Sequence, residues 1–261
     1  MKLTLLGTGN AATIPVYGCD CKACQRARCQ PQFQRKHCSA AISVADGKYL
    51  LIDANAKDLQ QGFPAGSIES VLLTHYHMDH VSALFDLRWG EGEAIPVFGP
   101  SDPNGCDDLY KHSGILAFKP PLQPQSSFKL AGLTITPLSL AHSKPTLGYV
   151  FERIASSGDE APRRLAYLTD TAGLPRDSLA WLKLHPIDTL IIDCGYPPGE
   201  SKLRPLNHSC LEQILEIREQ LRPRHVVLTH IGHHFERWIM EHGDRFDESL
   251  SIATDGQEFE L

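Results

Sequence analysis

The run Val71-Leu72-Leu73-Thr74-His75-Tyr76-His77-Met78-Asp79-His80 places an apolar stretch directly before three histidines and a carboxylate within six residues. Its apolar part reads as a buried strand, and its polar part as the loop which that strand delivers to a protein edge. Residues two apart at a strand end can project the same way, so His75 and His77 can hold one ion while Asp79 and His80, on the next turn, reach a second. Imidazole and carboxylate suit borderline and hard divalent ions, and no cysteine stands here to favour a soft thiolate site.

Outward from this run, short apolar segments bounded by Gly, Pro, Asp or Asn recur as expected strands: Leu3–Leu6, Ala41–Val44, Tyr49–Ile52, Val71–Thr74 and Pro96–Phe98, then Leu133–Leu140, Gly148–Glu152, Leu165–Thr169, Thr189–Ile192 and Val226–Thr229. Amphipathic helices are expected at 176–184, 209–221 and 234–242. Loose alternation of strands and helices without a linker or repeat predicts one layered α/β domain over 1–261. Gly7-Thr8-Gly9 lacks the third glycine of a dinucleotide fingerprint and is expected to be a tight turn.

The hexad His75–His80 resembles the His-x-His-x-Asp-His signature of metallo-β-lactamase-fold hydrolases, whose four-layer αββα sandwich it therefore implies. That family adds a His, a bridging Asp and a final His at successive strand ends. His142 follows Leu138-Ser139-Leu140-Ala141, Asp170 follows Leu165-Ala166-Tyr167-Leu168-Thr169, and His230 follows Val226-Val227-Leu228-Thr229. The resemblance implies His75, His77 and His142 on one ion, Asp79, His80 and His230 on the other, and Asp170 between them. Asp53, closing Tyr49-Leu50-Leu51-Ile52, matches a family aspartate that orients ligand-bearing loops, and Asp193 has a similar claim.

Near the N-terminus, Cys19, Cys21 and Cys24 supply three thiolates close enough to wrap one tetrahedral ion, with His233 as the candidate fourth ligand and Cys29 as its rival. The combined pattern resembles the PhnP-type phosphoribosyl cyclic phosphodiesterases of the carbon–phosphorus lyase pathway. It extends to Leu84-Phe85-Asp86-Leu87-Arg88-Trp89-Gly90, Gly105-Cys106-Asp107-Asp108-Leu109, Thr169-Asp170-Thr171-Ala172-Gly173-Leu174-Pro175 and Leu206-Asn207-His208. The resemblance implies hydrolysis of 5-phospho-α-D-ribosyl 1,2-cyclic phosphate to ribose 1,5-bisphosphate by a water activated between two Mn²⁺ or Zn²⁺ ions. It also implies His208 as general acid, a structural Zn²⁺ at the cysteines, and a homodimer. Arg88, Lys111 and Lys144 are candidates for a second phosphate by charge alone. His37, His112, His185, His225, His234 and His242 read as surface or otherwise satisfied residues.

Composition narrows the partners. A net charge of −6 over 261 residues argues against a protein that grips nucleic acid by its phosphates. No apolar run approaches a spanning helix, and Met1-Lys2 leads straight into strand-like sequence, so a cytoplasmic protein that does not enter a membrane is expected. Reduced cysteines then favour metal binding over a disulfide framework. Three rival readings share the metal set or the cysteine loop. A tRNA 3′-processing endonuclease would need a basic inserted arm, which is not visible. A relative of the B protein of pyrroloquinoline-quinone biosynthesis is disfavoured by His208 and the tract around Arg88, and an inactive binding module by the retention of all seven ligands. Hydrolysis of other cyclic phosphates fits the same metal pair.

Overall fold

The computed structural model describes residues 1–153, 163–200 and 207–261. Leu206, part of one tract quoted above, lies outside the described residues. The strands fall into two sheets of seven. The first contains β1 (Lys2–Gly7), β2 (Ser39–Ser43), β3 (Tyr49–Ile52), β4 (Ile68–Leu72), β5 (Ile95–Phe98) and β6 (Leu116–Phe118). The second contains β7 (Phe128–Leu130), β8 (Leu133–Ser139), β9 (Leu147–Arg153), β10 (Arg164–Leu168), β11 (Thr189–Asp193), β12 (His225–Thr229) and β13 (Leu250–Ile252). The last strand, β14 (Glu258–Glu260), returns to pair with β1.

Period-two alternation sorts each strand's side chains into two cores. Leu3, Leu5, Leu50 and Ile52 of one sheet meet Tyr149, Phe151, Tyr167 and Val227 of the other in the interior. Fully burying such a side chain stabilises by about 1.5–3 kcal/mol. The alternate residues face outward under helices. On the first sheet, Leu51, Val71 and Val97 lie beneath α2 (Leu59–Gly62), α3 (Met78–Val81), α4 (Leu84–Leu87) and α5 (Asp107–Lys111). On the second, Leu168, Ile192 and Leu228 lie beneath α6 (Arg176–Leu184), α7 (Leu211–Leu221) and α8 (His233–Glu241). A further helix, α1 (Lys22–Cys29), follows the cysteine run. The layers are therefore αββα, as the hexad implied.

Strand direction gathers the ligand-bearing loops. β3, β4 and β5 are parallel to one another, as are β10, β11 and β12. β8 runs with β10 because both are antiparallel to β9. The C-terminal ends of β3, β4, β8, β10, β11 and β12 thus open on one rim, the usual place for a site in such sheets.

Local differences from expectation have identifiable causes. β4 stops at Leu72 rather than Thr74 because the Thr74 amide donates to Asp53 Oδ1 at 2.8 Å, leaving the ladder. α7 starts at Leu211 rather than 209 because Cys210 caps it, with the Gln213 side chain folding back onto the Cys210 amide. Gly7 and Gly9 are required by close backbone approach rather than by a tight turn: a Cβ at Gly7 would stand 2.0 Å from the His37 carbonyl oxygen. No helix among the described residues is long and apolar enough to cross a membrane.

Candidate metal centre

His75 leaves the end of β4, and the chain stays extended to His77 before α3 turns Asp79 and His80 back beneath it. His75 Nε2 lies 2.8 Å from His77 Nδ1, and His142 Nε2 lies 3.1 Å from the same atom. His75 Nδ1 faces Thr74 Oγ1 at 3.0 Å, and His142 Nδ1 donates to the Asn207 carbonyl at 3.0 Å. With those nitrogens protonated, two ring lone pairs converge on His77. A proton on His77 Nδ1 would have to be shared between the two acceptors, whereas one cation can serve all three nitrogens. Around one cation with bonds of about 2.0–2.1 Å, neighbouring ligand nitrogens are expected roughly 2.9–3.4 Å apart.

A second group adjoins the first. Asp170 Oδ2 lies 3.3 Å from both His80 Nε2 and His230 Nε2, and Asp79 Oδ2 lies 3.5 Å from His80 Nε2. The same Asp170 oxygen is 3.9 Å from His75 Nε2 and from His142 Nε2, so it stands between the two groups. His80 Nε2 and His230 Nε2 are buried without a hydrogen-bond partner. Buried polar atoms are seldom left so; two aimed at one carboxylate fit a cation on their lone pairs. The structure therefore brings together all seven residues expected from the sequence, in the two sets expected.

The electrostatics of the second group favour positive charge. Burial acts to raise the Asp170 pKa, but His230, His80 and His75 outweigh it and hold the carboxyl well below its ordinary range. Burial likewise opposes charge on His80, yet Asp170 and Asp53 outweigh it and lift its pKa well above the usual value. Metal ligation requires that proton to leave, with the ion taking its electrostatic place.

Three residues hold this constellation from behind. Asp53 Oδ2 accepts from His80 Nδ1 at 2.7 Å and from Thr74 Oγ1 at 2.8 Å, fixing the tautomer that points Nε2 inward. Asn55, buried, donates its amide to the carbonyls of Asp79 and Cys38 at 2.7 and 2.8 Å. Thr74 and Asn55 were not singled out from the sequence; the available signal was their position, directly before His75 and two residues after Asp53. Asp53 and His230 both adopt left-handed backbone, with φ of 63° and 60°, a strained choice for non-glycine residues that turns each side chain off its strand end.

His208 lies above the second group. Its Nδ1 donates to Asp193 Oδ2 at 2.8 Å, and its ring centroid is 4.4 Å from that of His230 and 5.2 Å from that of His142. Asp193 also accepts the Thr171 amide at 2.9 Å and lies 3.7 Å from His230 Nδ1. Burial disfavours charge on His208, but Asp193, then Asp170 and Asp79, outweigh it and push its pKa up to about 9. Of the three cations considered for a second phosphate, Arg88 is engaged by Asp108 at 2.7 Å and Lys111 by Asp107 at 2.6 Å. Lys144, two residues beyond His142, is likewise engaged, by Asp102 at 3.1 Å.

The cysteine run forms a separate cluster. Cys19, Cys21 and Cys24 Sγ lie 3.3, 3.6 and 3.7 Å from His233 Nδ1, while Cys29 is exposed and outside the group. A tetrahedral zinc with bonds of about 2.3 Å to sulfur and 2.0–2.1 Å to nitrogen separates those atoms by about 3.5 Å, so the four donors fit it. His233 opens α8 only three residues after His230. Glu236, one turn on, is buried and receives Arg26 of α1 at 2.5 Å and Arg35 at 2.7 Å, so the cluster and its two helices are tied to the interior. Cys21→Ser should therefore lower zinc content and the melting temperature together, because structural metal binding is coupled to folding. Unchanged values of both would remove the cluster as a metal site.

Comparison with known proteins follows this geometry. A family described as the beta-lactamase superfamily domain matches residues 48–231. The chain is 28% identical over 255 residues to the octanoyltransferase of Porphyromonas gingivalis, aligning 90% of this chain with 46% of that one. It thus spans less than half of that relative's length. Among solved structures, a diphosphatase from the PhnP family is similar with a TM-score of 0.78 at 24% identity, covering 100% of this chain and 96% of that one. Zn²⁺-bound PqqB from Methylobacterium extorquens is similar with a TM-score of 0.77 at 21% identity, covering 100% of both chains. Two seven-stranded sheets between helical layers, a rim of His and Asp side chains able to hold divalent metal, and the match across residues 48–231 lead to one conclusion: the chain belongs to the β-lactamase superfamily and has the metallo-β-lactamase hydrolase fold.

Proposed function

We propose that this protein is a phosphodiesterase that hydrolyses 5-phospho-α-D-ribosyl 1,2-cyclic phosphate to ribose 1,5-bisphosphate in phosphonate breakdown. The observation that carries the reading is His208, anchored by Asp193, which acts to raise its pKa, and stacked beside His230 where a leaving group would depart. When bound, a pair of Mn²⁺ or Zn²⁺ ions supplies Lewis acidity for the phosphoryl oxygens and lowers the pKa of an attacking water. The chain's own residues do the rest. His75, His77 and His142 would hold one ion, Asp79, His80 and His230 the other, with Asp170 shared between the two groups. Asp53 and Thr74 keep imidazole lone pairs inward. His208 delivers its Nε2 proton to the sugar oxygen as the P–O bond breaks, and Asp193 steadies the ring through that transfer.

The solved PhnP-family relative is named a diphosphatase. Cleaving a diphosphate expels a phosphate, which needs little protonation, whereas a sugar alkoxide is basic and needs an acid. His208 therefore favours the diester. A small-molecule substrate suits the net charge of −6 better than nucleic acid does. A homodimer belongs to the same proposal, as does zinc at Cys19, Cys21, Cys24 and His233.

Elemental analysis tests the metal part. Two kinds of site should appear, because thiolates favour closed tetrahedral zinc while the His/Asp pair leaves positions open. Mild chelation should strip the His/Asp pair and abolish phosphodiesterase activity, with zinc retained at the cysteines and activity restored by Mn²⁺. Full activity with no more than one metal per chain would refute a dinuclear centre.

A further inference from the structure

The three residues 207–209 each fasten to a different part of the rim around the metal centre. The Asn207 carbonyl accepts a hydrogen bond from His142 Nδ1 at 3.0 Å, and His208 donates to Asp193, the last residue of β11, at 2.8 Å. Ser209 reaches the loop of Asp170. Fully buried, it donates its hydroxyl to the Thr171 carbonyl at 2.7 Å and accepts the Gly173 amide at 3.0 Å. Among the described residues, these are the only hydrogen bonds that run directly between the segment 207–209 and the loop 170–173. On its other side, the Ser209 carbonyl accepts the amides of Gly195 and Tyr196 at 3.0 and 3.3 Å. Gly195 is where His208 rests: a Cβ there would stand 3.2 Å from His208 Cβ, tighter than ordinary van der Waals contact.

We infer that Ser209 is a positioning residue for the His208 acid, locking the segment 207–209 to the loop of Asp170 and so fixing the distance of the ring from the departing oxygen. The inference rests on the proposed function for the acid role itself. A hydroxyl serves as donor and acceptor at once, which is what a carbonyl and an amide two residues apart require of a single group. The loop of Asp170 does not depend on Ser209 in the same way. Thr171 donates its amide to Asp193 at 2.9 Å and accepts the Ala141 amide on Oγ1 at 3.1 Å, and Ala172 donates to the Ala141 carbonyl at 2.8 Å. Removing the Ser209 hydroxyl therefore leaves the shared carboxylate held and releases the acid's segment on that side. General acid catalysis needs the proton within about 2.6–3.2 Å of its acceptor, and a misplacement of about 1 Å can cost roughly 10²-fold. With Asp193 still gripping the ring, the shift is smaller and the loss should be on the order of tenfold.

The test compares two substrates of the metal-loaded protein: 5-phosphoribosyl 1,2-cyclic phosphate, whose alkoxide needs the acid, and bis(p-nitrophenyl) phosphate, whose nitrophenolate does not. Ser209→Ala should lower kcat on the sugar roughly tenfold with KM little changed, and should move nitrophenyl turnover by less than about threefold. Ser209→Cys fills the same space but bonds weakly. It should show the same selectivity, and it decides the matter if Ser209→Ala fails to fold with its metals. In a His208→Ala background, Ser209→Ala should slow the sugar reaction by less than about a further twofold, because the group it positions is gone. Equal losses on both substrates, or a loss in the His208→Ala background as large as in the wild type, would make Ser209 merely structural and overturn the inference. Wild-type kcat on the sugar in both Ser209 variants would overturn it too. Failure of His208→Ala itself to distinguish the substrates would overturn the proposed acid and the inference with it. Selectivity in His208→Ala but in neither Ser209 variant would overturn the positioning role alone.

Discussion

His208→Ala should slow hydrolysis of the cyclic ribosyl phosphate by about 10²–10⁴-fold, the usual contribution of a positioned general acid. The same substitution should change hydrolysis of a nitrophenyl phosphodiester far less. A nitrophenolate is stable as an anion and departs unaided, whereas a sugar alkoxide is not and does not. The ring hydrogen-bonds Asp193 and stacks beside His230; it falls with Asp170, Asp193 and His230 in one group of potential ligands, but its Nδ1 is already taken by Asp193. Metal content should therefore be unchanged. Comparable losses on both substrates would make His208 a phosphate-binding cation, and an emptied metal position would make it a ligand. Either outcome removes it from the acid role. Bound cations oppose the carboxylates that stabilise its proton, so the pKa of the loaded enzyme should fall from about 9 towards neutrality.

The second large effect is expected at Asp170. Replacement by Asn keeps the shape but removes the one negative charge within 4 Å of four inward-facing imidazole nitrogens, on His75, His80, His142 and His230. Loss even of an outer partner of a ligand costs about 10- to 100-fold in metal affinity or activity. Removing the shared carboxylate should cost more than about 100-fold on every phosphodiester substrate alike, with metal lost from the His/Asp centre and zinc retained at the cysteines. Retention of both metals with activity within tenfold of wild type would show that Asp170 does not bridge. The contrast between the variants is diagnostic: His208→Ala discriminates between leaving groups, and Asp170→Asn should not.

Much of this site is legible in the sequence because its parts sit where periodicity is strongest. Val226–Leu228 and Leu165–Leu168 alternate cleanly between two cores, so the point where each pattern stops marks the rim, and a His or Asp there is visible as a ligand candidate. The helix at 176–184 has the observed bounds because a nine-residue amphipathic segment carries two full turns of signal. Shorter elements carry none. α2, α4 and α5 span four or five residues each, and β6, β7, β13 and β14 span three, too few for any period to register. Thr74 and Asn55 went unnoticed for a different reason. A neutral side chain bonded to a backbone carbonyl or to another residue's carboxylate has no spacing rule, and its role exists only once β3 and β4 lie side by side. The Asp102–Lys144 contact joins loops of opposite sheets across 42 positions and is invisible for the same reason.

The cysteine clip described above joins Cys19 to His233, positions 214 residues apart. With an ion seated, it acts as a cross-link that closes most of the chain into a loop. By the chain-entropy relation used for disulfides, closing so long a loop restricts the unfolded ensemble by about 5 kcal/mol. That contribution depends on the length enclosed and not on native contacts, so it is insensitive to what the enclosed residues are. A backbone cut on the largely exposed stretch 119–127 would separate β1–β6 from β7–β14 and still leave the pieces joined, through the ion and through the pairing of β14 with β1.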